Sequence, residues 1–401
     1  MTPPELTPPA VPGVTTHDGA HLPLASRSRR WRVVDRLAIV AFALALVLPS
    51  AAMLAGARPQ AIENRPLLTA PPFTPGSIWD PAWSAAVDRA IADNLVLRPR
   101  AIRLRAAIDL ALSGSPSPDV IRGVDDWLFY RDDLVALCPV GAAELVTRLD
   151  AAAAAFAAAG QEFRFIIAPD KHVYYGDRRR PDDGIPAPCT DAARPSVRAA
   201  LATRGAFAVD GWSAVDSARA ALPGTELYFR QDSHWVPVAA LMAIRDLMLS
   251  LDPALWSEAD VVAGEPRAFQ MDLAQILGVP RTEAALDPLV RPGVQLRTTA
   301  VEPPAGLHLP YPIQQISAQG DRRLLGGRTV VVYDSYFGRA TNKLAAFFAD
   351  STWIHIDDLK QSPDLVRQLG PFDRVIYEEV ERYVYRAQLD TLVAPLVRIP
   401  R

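Results

Sequence analysis

The sequence predicts an α/β fold with a mainly parallel, doubly wound sheet, preceded by one transmembrane helix and a short helical lead. Three observations carry this. Apolar β-type runs alternate with helical runs from residue 141 onward, the pattern of strands joined by crossover helices. Residues 37–57 carry no charge, and such a run makes roughly 30 Å of helix, enough to span a bilayer. The 401 residues, 50% hydrophobic and 22% charged, suffice for one large domain or two modest ones, each with a core.

Residues 1–36 read as a cytoplasmic tail. As far as residue 26 it lacks periodicity and is predicted disordered. It closes on a basic cluster, Arg27, Arg29, Arg30, Arg32 and Arg36 against Asp35. That cluster before residues 37–57 puts the N-terminus in the cytoplasm and the body outside. A cleaved signal peptide is the alternative, since Ala55-Gly56-Ala57 is a small-residue cleavage pattern and Pro49 shortens the apolar core. Residues 58–118 form an extended and helical lead. Asp80-Pro81 reads as an N-cap with proline at the first helical position, Arg98-Pro99 starts a second helix running to Leu112, and residues 113–118 are a Ser/Pro linker.

Residues 119–401 form the main domain. A helix over 141–159 precedes a strand at 163–168; then come strands at 206–209 and 227–229 and a helix over 236–251. Residues 328–332 are a strand, 341–349 a helix, and 352–356 and 374–377 two more strands. Residues 252–327 are proline-rich and irregular, an insertion or lid with a short helix at 272–277. A net charge of −3 shows no basic footprint for nucleic acid. Cys138 and Cys189 are the two cysteines. In an oxidising compartment they form a disulfide; two unrelated buried thiols are the alternative.

Ser335, in Tyr333-Asp334-Ser335-Tyr336, sits where the 328–332 strand ends and helical sequence begins. A strand-to-helix turn holds a hydroxyl out of the ladder, with helix N-terminal N–H groups beside it, as acyl transfer requires. Of the six histidines, His17 and His21 fall in the tail, His308 in the insertion, His355 in an apolar strand, and His172 beside Lys171 at a strand end. His234 is the best base, because Asp232 stands two residues before it and in an extended segment both point the same way. Asp-x-His as a cap with a surface imidazole, and Asp334-Ser335 as an N-cap pair, are the structural alternatives. A metal at Asp232, His234 and Asp334 lacks the second histidine normally wanted. No metal or cofactor is expected.

Asp232-Ser233-His234-Trp235 followed a hundred residues later by Asp334-Ser335 resembles the AlgX/AlgJ-like family, the SGNH-hydrolase-like O-acetyltransferases of alginate and related exopolysaccharides. Similar segments include Glu63-Asn64-Arg65, Gly123 to Phe129, Pro169-Asp170-Lys171 with Tyr174, Asp272-Leu273 before Leu277-Gly278, and Glu378 to Arg382. The resemblance implies a three-layer α/β/α domain in which Asp232 orients, His234 is the base, and Ser335 carries acetyl to a sugar hydroxyl. Lys171, Tyr174, Trp235, Tyr336 and Arg339 are the expected sugar-site residues, with a packed or solvated side chain as the alternative for Lys171, Tyr174, Trp235 and Arg339. Tyr333 replaces a glycine usual before Asp-Ser and narrows the pocket.

The resemblance also implies a periplasmic or cell-surface, membrane-anchored enzyme with a polysaccharide acceptor, and a membrane-bound O-acyltransferase as acetyl supplier. Two other readings remain. One is an acetylesterase using water as acceptor; the other is a silent glycan-binding scaffold in a secretion complex.

Overall fold

The computed structural model describes residues 29–57, 59, 67–112, 117–204, 207–303, 309–386 and 389–397. The expected tail to residue 26, Glu63-Asn64-Arg65, residues 113–116 of the linker and His308 lie outside them. The chain divides into two units, Met1–Ala57 and Arg58–Arg401. In the first, a helix spans Arg29–Leu54, starting inside the arginine cluster rather than after it. Its Arg36–Met53 stretch is long and apolar enough to cross a membrane.

In the second unit the lead folds as two helices. The Asp80 carboxylate accepts from the Ala82 N–H at 2.9 Å and caps Pro81–Asp93, with Pro81 in the first turn where its missing N–H costs nothing. Arg98–Leu112 follows. A hairpin then pairs Val120–Arg122 with Leu128–Tyr130. Its turn takes Asp125 and Asp126 into the left-handed region, at φ of 51° and 62°. Gly123 is required there, because a Cβ would lie 2.4 Å from the Arg178 carbonyl oxygen.

The central sheet has seven strands: β1 (Glu162–Ala168), β2 (Ala208–Val209), β3 (Gln295–Val301), β4 (Ile313–Gln319), β5 (Leu325–Tyr333), β6 (Phe348–His355) and β7 (Arg374–Val380). Their order is β2-β1-β7-β5-β6-β4-β3. The first five are parallel, while β4 and β3 add an antiparallel edge. The sheet is therefore mixed, and the 252–327 segment expected to be irregular supplies two of its strands. These escape a search for apolar runs because β3, Gln-Leu-Arg-Thr-Thr-Ala-Val, is largely exposed and its pairing partner β4 buries only alternate faces.

Period-2 alternation builds the layers. Val331 and Tyr333 of β5 pack on one side with the helices Gly211–Ala221 and Pro237–Leu251. Val330 and Val332 pack on the other with Ala142–Ala158, Cys189–Arg204 and Leu389–Val397. Two local expectations change. The helix expected over 341–349 is two short pieces, Ser335–Gly338 and Thr341–Ala345, and the apolar sequence from Phe348 belongs to β6. The strand expected at 227–229 is a single bridge between Tyr228 and Trp235. A disulfide joins Cys138 to Cys189.

Candidate active site

The parallel strands direct their C-terminal ends to one edge, where α/β sheets hold their ligands. There β5 runs into Asp334-Ser335, and in the β5–β6 register Tyr333 stands opposite His355. Asp334 is locked: its N–H donates to Glu378 Oε2 at 3.0 Å, Oδ1 accepts from the Tyr336 N–H at 2.8 Å, and Oδ2 accepts from the Val380 N–H at 2.7 Å. Burial, then the neighbouring Asp334 carboxylate, pushes Glu378 far above the ordinary carboxyl range. Held this way, Asp334 fixes the turn and Ser335 stands exposed at its tip. The Tyr336 N–H is spent on Asp334, and the helix it opens has four residues.

His234 faces the same cavity, of about 580 Å³, whose lining includes Ser335, His234, Asp272, Arg339, His355 and Arg382. The Asp232–His234 pair is not extended, contrary to the reading from spacing. Asp232 Oδ1 accepts the His234 N–H at 2.9 Å, closing a local side-chain turn, and lies 2.7 Å from His234 Nδ1. Oδ2 accepts from the Asp272 N–H at 2.8 Å and from Arg339 at 2.5 Å. With all four bonds made, the carboxylate fixes the ring, and His234 Nε2 is buried without a hydrogen-bond partner among the described residues.

A second carboxylate, missed as a site residue from sequence, belongs here. Asp272 Oδ2 lies 3.3 Å from His234 Nδ1 and accepts from Ser233 Oγ at 2.5 Å. Burial works to raise Asp272, but the hydrogen bond and charge of His234, with Arg339, hold it below the carboxylate range. For His234, burial and Arg339 favour the neutral ring; Asp232 and Asp272 outweigh them, and the net value is raised above 6.5. Asp232, His234 and Asp272 could group about a cation, their ligand atoms lying within 4.8 Å. Every Asp232 and Asp272 oxygen already accepts an N–H or O–H, which fits orientation of the imidazole better.

The expected sugar-site residues divide. Arg339 lines the cavity. Lys171, Tyr174, Trp235 and Tyr336 are buried and line none of it. Lys171 Nζ donates to the carbonyls of Leu128, Arg230 and Asp232 at 2.6, 2.8 and 3.0 Å, tying the hairpin to the Asp232 loop; burial lowers it to about 8. Tyr174 donates to the Trp212 carbonyl, Trp235 Nε1 to that of Tyr336, and the Tyr336 hydroxyl to that of Ser233. These four act behind the site because their aromatic and aliphatic bodies are worth more in the core than in water.

The other histidines are placed too. His172 pairs with Asp191 at 3.0 Å, away from the cavity. His355, assigned to an apolar strand, reaches the wall: it caps the helix Ile356–Gln361 and stacks on Tyr311 at 3.7 Å between centroids. The signal that finds Glu378 is a pair of acids, Glu378-Glu379, directly after the apolar run 375–377. Arg382, on the cavity wall, bonds the fully buried Asp170 at 2.5 Å and Asp133 at 3.0 Å.

An α/β/α domain with a serine at a strand end and a His–Asp pair on one cavity is the arrangement of SGNH-hydrolase-like enzymes. Residues 120–306 match the family model described as the SGNH hydrolase-like domain of acetyltransferase AlgX. The probable alginate O-acetylase AlgJ of Pseudomonas syringae pv. tomato is 25% identical over 212 residues, covering 52% of this chain and 52% of its own. The chain thus spans about half the length of that curated relative. The O-acetyltransferase domain of Pseudomonas putida AlgJ superposes at a TM-score of 0.44 with 18% identity, over 69% of this chain and 99% of its own. A DHHW family protein from Eubacterium siraeum gives 0.43 and 14%, over 69% and 98%.

Proposed function

We propose that this chain is an extracytoplasmic, membrane-anchored O-acetyltransferase that places acetyl groups on polysaccharide hydroxyls through an acetyl-Ser335 intermediate. One observation carries the reading: exposed Ser335 shares a cavity with His234, whose Nδ1 is clamped by Asp232 while Nε2 has no partner among the described residues. In the first step His234 Nε2 takes the Ser335 proton as Oγ attacks the acetyl carbonyl of an ester donor. The leaving alcohol then receives that proton as its C–O bond breaks. In the second step a sugar hydroxyl attacks the acetyl-serine, His234 removes its proton, and Ser335 Oγ is reprotonated on release.

Asp232 holds the imidazole in one tautomer, and Arg339 holds Asp232. The name of the AlgJ relative supports acetyl transfer to a polysaccharide, and the Arg36–Met53 helix supports anchoring. A membrane-bound O-acyltransferase as supplier is part of the same proposal.

The test incubates the protein with an activated acetyl ester, with and without sugar oligomers, following acetate and oligomer mass. Acetylated oligomers made by wild type and lost in Ser335→Ala and His234→Ala are the expected result. Transfer at the wild-type rate by Ser335→Ala removes the nucleophile, and acetate alone with every acceptor makes the enzyme an esterase.

A further inference from the structure

The exposed apolar surface of the second unit is concentrated in its lead. Among the described residues, eight large apolar side chains stand exposed within residues 67–112, and seven in the rest of the unit from residue 117 to 397. Scattered exposed leucines need no partner, whereas a continuous apolar stripe marks an interaction surface. The helix Arg98–Leu112 carries such a stripe. Leu97, whose carbonyl accepts from the Ala101 N–H at 3.0 Å, is followed by Ala101, Leu104 and Ile108 at spacings of four, three and four. Those spacings put all four on one face of the helix. All four are exposed, Leu104 by 64%.

Another side of the helix is seated on the body. A Cβ on Gly278 would lie 2.8 Å from Arg103 Cγ and 3.3 Å from Ile102 Cγ2, so the stripe faces away from its own fold. At about 100° per residue, Arg100 flanks the stripe on one side and Arg98 and Arg105 on the other. The helix holds four arginines against one acid, Asp109. The same lead exposes Trp79, by 85%, together with Ile78 and Phe73. An apolar stripe edged by arginines, with an exposed tryptophan beside it in sequence, is what a helix lying in a bilayer surface needs: apolar groups enter the headgroup boundary and guanidinium groups meet lipid phosphate. Residues 58–66 join this unit covalently to a helix long and apolar enough to cross a membrane, so contact with the bilayer is an intramolecular event.

We infer that the helix Arg98–Leu112 and the turn bearing Trp79 form a second membrane contact, which seats the extracytoplasmic domain on an anionic phospholipid bilayer independently of the spanning helix. The inference rests on the anchoring part of the proposed function. A single tether leaves a domain free to turn; a contact on the domain itself restricts which of its faces meets the bilayer.

The experiment reconstitutes the full chain, with a protease recognition sequence and a glycine–serine spacer inserted between Ala57 and Arg58, into phosphatidylcholine vesicles with or without phosphatidylglycerol. The chain is cut in place, the vesicles are floated, and the cut body is scored as bound or free. Wild type is compared with Leu104→Glu/Ile108→Glu and with Arg100→Gln/Arg105→Gln; thermal melts and acetate release from p-nitrophenyl acetate, unchanged in both variants, show that they fold. Most of the wild-type body is expected to float with the anionic vesicles after cutting. Its bound-to-free ratio falls about tenfold or more in Leu104→Glu/Ile108→Glu, which loses two buried apolar side chains. A fall of similar size is expected in the arginine variant and in vesicles without phosphatidylglycerol. Release of the wild-type body from every vesicle overturns the contact, as does retention of the Leu104→Glu/Ile108→Glu body at the wild-type level. Equal binding to both vesicle types, with the arginine variant unaffected, overturns its anionic character. Uncut chains that fail to float overturn the anchoring beneath the inference instead.

Discussion

Replacing Asp272 by Asn separates the two carboxylates that face His234. The substitution is close to isosteric: the retained oxygen can accept from the Ser233 N–H, and the new amide can donate to Ser233 Oγ, whose hydroxyl rotates to accept. What disappears is a negative charge 3.3 Å from Nδ1. At that distance Coulomb's law gives about 1 kcal/mol with the dielectric of water and about 5 with an effective value of 20, or about 1 to 4 pH units. His234 is held above 6.5, burial and Arg339 notwithstanding, by Asp232 and Asp272. The neutral ring is the base, so wild-type activity rises with pH through a midpoint above 6.5. Asp272→Asn moves that midpoint down, toward or below 6.5.

Arg339→Met should do the opposite, because Arg339 opposes the protonated ring. The assay is kcat/KM for acetate release across the pH range, with thermal melts to show that both variants fold. A midpoint that stays put, or rises, in Asp272→Asn refutes the charge argument. Movement of both variants in the same direction refutes it as well.

Lys171→Met should lower stability by about 2 kcal/mol, since the buried Leu128 and Asp232 carbonyls each lose a donor at about 1 kcal/mol or more, while the Arg230 carbonyl keeps the Leu128 N–H; a denaturant midpoint and slope equal to wild type would show that the ammonium is not a tie. The same variant should slow turnover, because the third carbonyl belongs to Asp232. Reducing Cys138–Cys189 should cost about 4 kcal/mol for a loop of about 50 residues in the chain-entropy model. Melting with and without reductant measures this, and free alkylation of both thiols in unreduced, denatured protein would contradict the bond. A reporter fused to the C-terminus should be active outside the cytoplasm; cytoplasmic activity would remove access to exported glycan.

The sequence alone determined the elements whose signals are local. Near-continuous apolar runs mark β1, β5 and β7, and Asp80-Pro81 and Val236-Pro237 mark helix starts; each is set by residues a few positions apart. Ser335 at a strand end and Asp232 two residues before His234 were legible for the same reason, and residues 120–306, which hold Asp232 and His234, match the AlgX family model. Tertiary structure alone decided which charges meet. Asp272 reaches His234 across 38 residues of chain, Arg339 reaches Asp232 across 107, and Glu378 reaches the Asp334 N–H across 44. It also decided that Lys171, Tyr174, Trp235 and Tyr336 face inward, since a long or aromatic side chain carries no local mark of whether its polar tip ends on a sugar or on a buried carbonyl. Strand β3 was invisible for a related reason: an edge strand keeps polar residues in water, and only its ladder partner shows that it is a strand; β4, paired on both sides, is broken by the polar Gln314, Gln315 and Ser317.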